Sequence, residues 1–330
     1  MSSILASLDT ETIAELVAKA SAGKDGFGGK TLQLEVTGVP VFCKLVPLTD
    51  LESAPTNYES TANHFGLPLY YQYGIGSVGF GAWRELAAHA ITSRWVIQGQ
   101  HEQFPLMYHW RVIKCSETAP LEAQTYDYLA QAAALREDDS AIRQRLDALR
   151  DSRTEIAIFS EYIPRTLSQW LLEQLHCDRP SANAAVLFTE DMSIRAFDFM
   201  RSQGFIHFDT HLDNILTDGA SLYFADFGLA AHKSFDLTAD ERNFLANHTE
   251  YDAARFGSSL VHTICRAMPG EDSWSQKLSR QTLQTESLPP AAIAALERHA
   301  PIALYMTRFA HTLINTDRHA IFSAPTAALA

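Results

Sequence analysis

Three polar residues in the second half of the chain have types and spacing suited to moving a phosphoryl group. Asp209, Asn214 and Asp226 follow one another at offsets of 5 and 12 residues within GFIHFDTHLDNILTDGASLYFADFGLA, residues 204–230. One carboxylate can accept or orient an acceptor hydroxyl, while an amide and a second carboxylate can hold Mg²⁺ on the phosphates of ATP. A lone loop aspartate is by default a solvated residue. Here both offsets coincide, and the strand-like runs ILTDG and SLYFADFG supply a turn that could bring the three together.

The string H-x-D-x-x-x-x-N followed by D-F-G resembles the catalytic core of the protein-kinase-like superfamily. The resemblance is specific from about residue 186 to 268, looser from 30 to 170, and absent from the last sixty residues. It implies an α+β, two-lobe fold with a small β-rich N-lobe and a larger helical C-lobe. It also implies ATP and Mg²⁺ as cofactors, Asp209 as the base or hydroxyl-orienting group, and Asn214 and Asp226 as metal ligands. His207 and Asp252 would be structural braces of the catalytic loop. Two residues depart from the Ser/Thr kinase pattern. Phe208 stands where an arginine commonly pairs with an activating phosphate. His211 stands where lysine is usual, and the resulting H-x-D-x-H-x-x-N resembles the loop of aminoglycoside- and choline-type phosphotransferases. A protonated His211 could still assist the moving phosphoryl group, so it belongs with the catalytic candidates. No A-P-E follows D-F-G. A competing reading takes His207, Asp209, His211 and Asp213 as zinc ligands, but it leaves Asn214 and D-F-G unexplained.

The same resemblance implies residues on the nucleotide side. Lys44, in VFCKLVPL, is the candidate for the α/β-phosphates, and alternation puts it on the same strand face as Phe42. Its acidic partner is expected to be Glu85 in WRELAAH, with Glu59 as the alternative. GKDGFGGK precedes the strand pair, so Gly26 and Gly28 are candidates for a loop whose N–H groups cover phosphates. GIGSVG at 74–79 fits G-x-G-x-x-G but follows Lys44 and lacks a βαβ context, which makes it weak evidence. Glu161 and Tyr162, in FSEYIP, fall where a hinge would offer backbone groups to adenine.

Positioning these residues needs particular elements. TLQLEV and VFCKLVPL read as a hairpin around TGVP, WRELAAHAITSRWVI as a helix, and FPLMYHWRVI and EIAIFSEYIP as strands. Residues 9–21 read as a short amphipathic helix and GKDGFGGK as a break after it. Strands early and helices late divide the chain into residues 1–163, with a charged helical insertion at about 120–150, and residues 164–330, with the catalytic loop.

Composition bounds the rest. The 330 residues carry a formal net charge of -13, which argues against nucleic acid and anionic membranes as partners. Four scattered cysteines fit a reducing compartment, no apolar run reaches transmembrane length, and a cytoplasmic location is expected. The leading expectation is transfer of the ATP γ-phosphoryl group to a hydroxyl, foremost Ser/Thr of a protein. The alternatives are a small-molecule hydroxyl acceptor and a non-catalytic nucleotide-binding protein of the same fold.

Overall fold

In the computed structural model, residues 1–26, 29–114, 140–270, 272–279 and 288–323 are described. The chain is of the α+β class and divides into two units. The first comprises Met1–Gln100, Pro105–Tyr162 and Phe227–Asn243; the second comprises His101–Phe104, Ile163–Asp226 and Phe244–Ala330. The division at Tyr162–Ile163 lies beside the sequence boundary at residue 163, and two short stretches, 101–104 and 227–243, cross it.

The first unit is built on an antiparallel sheet of β1 (Ser21–Gly26), β2 (Gly29–Val36), β3 (Val39–Leu48), β4 (Met107–Lys114) and β5 (Thr154–Glu161), in the order β1-β2-β3-β5-β4. Thr37 and Gly38, both at positive φ, turn β2 into β3 and pair Val36 with Val39, as a two-residue hairpin requires. Side chains along a strand alternate between faces. Val41, Cys43 and Leu45 therefore enter one apolar cluster with Leu32, Leu34, Ala157 and Phe159. Leu5, Ile13 and Val17 close that cluster from α1 (Ser2–Ser7) and α2 (Thr10–Ala18). The Asp9 carboxylate caps α2 by accepting from the Thr12 N–H at 2.8 Å. On the opposite face Val46, Leu48, Ile156 and Ile158 pack against Ala82, Trp83 and Leu86 of α4 (Ala82–Ile97), which follows the short helix α3 (Asp50–Ser53).

Two parts of this unit differ from the sequence expectation. α1 has no counterpart in the periodicity. The stretch read as a break is the strand β1, running through Gly26, because pairing with β2 overrides the poor strand propensity of its Gly, Lys and Asp. Residues 115–139, most of the expected insertion, lie outside the described residues, and its end is helix α5 (Ser140–Asp151).

The second unit is mainly helical. The Thr166 hydroxyl caps α6 (Leu167–Leu175), and Asp178 caps α7 (Arg179–Gln203), which ends at Gly204. A small sheet joins β6 (Arg165–Thr166), β7 (Ile215–Thr217) and β8 (Leu222–Phe224) and carries the loop between α7 and Asp226. Behind them α8 (Tyr251–Ala267) packs on α6 and on α9 (Pro290–Asn315). Among the described residues no helix is long and apolar enough to cross a membrane.

Candidate active site

In the second unit, the loop carrying Asp209 is held by α8 from below and by the turn before Asp226 from the side. Asp252 is fully buried, and its carboxylate accepts the N–H groups of His207 and Phe208, both at 2.8 Å. Its carbonyl accepts the Thr210 hydroxyl at 2.6 Å. Burial pushes the Asp252 pKa up, against the pull of His207 and the two N–H groups. Two turns further on, the Ser259 hydroxyl accepts the Leu212 N–H at 3.0 Å.

His207 is also buried, and both its ring nitrogens are used. Nδ1 accepts the Asp209 N–H at 3.3 Å, so Nε2 carries the hydrogen that it donates to the Ala225 carbonyl at 2.9 Å. The ring thus joins the loop to the residue before Asp226 and has no lone pair left for a metal. Among the described residues no group of three His, Cys, Asp or Glu side chains is placed to hold a metal ion. Asp213 points elsewhere, 3.5 Å from the Thr166 hydroxyl.

Phe208 is buried with its backbone at φ 63, and its ring packs near Phe244, His248 and Tyr251 at centroid distances of 5.4–5.9 Å. An apolar anchor therefore occupies the position expected of a phosphate-pairing arginine. Asp226 is likewise a non-glycine residue in the left-handed region, at φ 62. Such backbone costs of order 1–3 kcal/mol and concentrates where side-chain direction matters for function.

Asp209, Asn214 and Asp226 are brought together. The Asn214 amide donates to the Asp209 carboxylate at 3.0 Å and to its carbonyl at 3.1 Å, while the Asn214 carbonyl accepts the Ala225 N–H at 3.0 Å. Asp226, the next residue, is near enough for its charge to bear on Asp209. His211 Nε2 lies 3.5 Å from one Asp209 oxygen and Arg255 Nη2 3.4 Å from the other. Burial acts to raise the Asp209 pKa, but the His211 bond and the His211 and Arg255 charges outweigh it and hold the group below the ordinary carboxylate value. Because Nδ2 of Asn214 is committed to Asp209, its Oδ1 is turned away and accepts no hydrogen bond from any described residue. That oxygen and the Asp226 carboxylate are the hard donors that Mg²⁺ prefers.

In the first unit Lys44 and Glu85 form a buried ion pair, Nζ to Oε1 2.6 Å, with both side chains over nine-tenths covered. Strand alternation aims Lys44 at α4, and Glu85 lies on the first turn of that helix. Glu59, the alternative, sits in a turn at φ 56. The N-terminus of α4 is fixed by Glu52, whose carboxylate accepts the Ala82 N–H at 2.8 Å and whose carbonyl accepts the Trp83 indole N–H at 2.8 Å. Arg145 lies 3.4 Å from the same carboxylate. Next to Glu85, Arg84 makes a buried ion pair with Glu241 at 2.6 Å and donates to the Thr61 carbonyl at 2.6 Å.

The glycine-rich stretches have separate fates. Gly26 ends β1 and pairs with Gly29, while Gly28 lies outside the described residues. Gly29 has φ 143, and a Cβ there would sit 2.3 Å from the Leu45 carbonyl oxygen, so the start of β2 lies close against β3 beside Lys44. GIGSVG packs instead on the residues after Asp226. A Cβ on Gly79 would fall 2.4 Å from the Gly228 carbonyl oxygen, and the Gln72 amide donates to the Leu229 carbonyl. Two of its N–H groups are used nearby: Val78 donates to the Tyr71 hydroxyl and Gly79 to the Ser77 hydroxyl. Glu161 uses its own N–H on the Leu106 carbonyl at 2.9 Å, so that group is spent within the unit; Tyr162 follows at the end of β5.

Sequence reasoning passed over Arg255, Glu52, Arg145 and Glu241. Glu52 had a signal, since T-D-L-E at 49–52 is a capping box. Arg255 had a weaker one, standing three residues after Asp252 on the same helix. No family model matches this chain, and comparison with curated proteins finds no match.

Proposed function

We propose that the protein is an ATP- and Mg²⁺-dependent phosphotransferase with the two-lobe kinase-like fold, transferring the γ-phosphoryl group to a hydroxyl, foremost Ser/Thr of a protein. The observation that carries the reading is the placement of Asn214: its amide nitrogen is bound to the Asp209 carboxylate and its oxygen is left for a cation. Support independent of that loop comes from Lys44, a strand lysine whose buried partner is Glu85.

In this reading Asp209 accepts the hydrogen bond of the acceptor hydroxyl and aligns its oxygen for in-line attack. As the new O–P bond forms and the bond to ADP breaks, the Asp209 carboxylate takes up the proton that the hydroxyl loses. Lys44, held by Glu85, would bind the α/β-phosphates. Asn214 and Asp226 would hold Mg²⁺, which when bound neutralises charge on the phosphate oxygens. A small-molecule acceptor is the second reading, and His211 beside Asp209 favours it.

The test is incubation of the purified protein with [γ-³²P]ATP and Mg²⁺, alone and with mixed lysate. Label in protein supports the first reading, and label confined to small molecules supports the second. Absence of turnover with every acceptor sinks both and leaves a non-catalytic nucleotide-binding protein.

A further inference from the structure

The Asp209 carboxylate has two oxygens and a soft terminal torsion, so one anchor leaves it free to pivot. Asn214 Nδ2 holds Oδ2 at 3.0 Å, with His211 Nε2 3.5 Å from the same atom. Both come from the loop that carries Asp209 and would move with it. Arg255 Nη2 is different: it reaches Oδ1 at 3.4 Å from a separate element, α8.

That helix is tied to the loop at three successive levels. Asp252 fixes the N–H groups of His207 and Phe208, Arg255 meets the Asp209 side chain, and Ser259 accepts the Leu212 N–H. Positions i, i+3 and i+7 lie on one helix face, so a single rigid surface sets backbone, side chain and loop exit in turn. We propose that Arg255 is a positioning residue that fixes the rotation of the Asp209 carboxylate, leaving it one orientation toward the acceptor hydroxyl. The inference rests on the phosphotransferase reading above.

The competing explanation is an ordinary ion pair. The Arg255 side chain is one-third exposed, and such pairs add little to stability. The two explanations differ in what they move. An ion pair alone leaves turnover where it was, whereas loss of a positioning contact lowers kcat without touching nucleotide binding.

The experiment compares Arg255→Met, Arg255→Lys and Asp209→Asn with the wild-type chain. It reads kcat and the KM for ATP in Mg²⁺-dependent turnover of [γ-³²P]ATP, together with the melting temperature. The expected result for Arg255→Met is a kcat lower by about tenfold with unchanged KM and melting temperature. Arg255→Lys, which restores a cation at the end of a long stem, should recover part of the loss. Unchanged kcat in Arg255→Met while Asp209→Asn is inactive overturns this inference alone. So does a loss that tracks the melting temperature and is not recovered by lysine. If Asp209→Asn turns over ATP like the wild type, the proposed function fails first and this inference with it. Should Arg255→Met not fold, Arg255→Lys decides: wild-type kcat together with wild-type response to pH and salt would overturn the inference, and a reduced kcat at unchanged KM would support it.

Discussion

Replacing Lys44 by methionine separates what the buried ion pair does for stability from what it does for chemistry. At 2.6 Å and an effective dielectric of about 20, the Lys44–Glu85 attraction is about 6 kcal/mol, most of it offset by removing two charges from water. Lys44→Met removes the attraction and leaves the Glu85 carboxylate buried beneath the sheet, so it should destabilise by about 3–5 kcal/mol. For a domain of this size that lowers the thermal midpoint by roughly 10 °C. The double variant Lys44→Met/Glu85→Leu has no orphan charge and packs beside Trp83 and Leu86, so most of the lost stability should return. Activity should not return, because no ammonium remains for the phosphates. Differential scanning fluorimetry and ADP release, measured on all three proteins, give both quantities. A double variant that regains stability and also turns over ATP like the wild type would refute the assignment of Lys44.

Gly79→Ala places a methyl group 2.4 Å from the Gly228 carbonyl oxygen at a φ of 80, so it should destabilise by about 1–3 kcal/mol, read as a lower urea midpoint. A stability equal to that of the wild type would mean that residues 74–79 do not bear on the segment after Asp226. His248 is fully buried against Phe244 and Phe208, and burial pushes its pKa down to about 4 from an ordinary 6.5, against the bond to the Phe244 carbonyl. Between those values the unfolded chain binds a proton that the folded chain does not, so stability falls as pH drops below 6.5 and the full contribution is lost near pH 4. At pH 5 the expected loss from this residue is about 2 kcal/mol, and His248→Gln should lack it when urea unfolding is compared at pH 7 and pH 5. The same slope in both proteins would contradict the assignment.

What the sequence made legible follows from how local each signal is. Asp209, Asn214 and Asp226 lie within eighteen positions, and the turn between β7 and β8 does the work of juxtaposition. Lys44 and Glu85 are 41 residues apart, yet each sits on an element with its own periodicity: alternation fixes the face of Lys44, and the first turn of α4 fixes Glu85. Arg84 with Glu241, and Arg255 with Asp209, are 157 and 46 residues apart, and no spacing rule connects such charged pairs before the fold does. GIGSVG shows the opposite failure. A G-x-G-x-x-G string suggests phosphate, but its glycines answer to the Gly228 and Leu229 backbone and side chains they touch. Phe208 reads in sequence only as a missing arginine. Its aromatic surroundings come from residues 244–251, which pattern alone does not place beside it.

The central claim is that Asp209 works with a metal held by its neighbours. ADP formation by the wild-type chain and by Asp209→Asn, with and without Mg²⁺, tests it most directly. The account predicts turnover by the wild type only with Mg²⁺, and a loss of at least about a hundredfold in Asp209→Asn at an unchanged melting temperature. Turnover by Asp209→Asn equal to that of the wild type, or turnover indifferent to Mg²⁺, would contradict it.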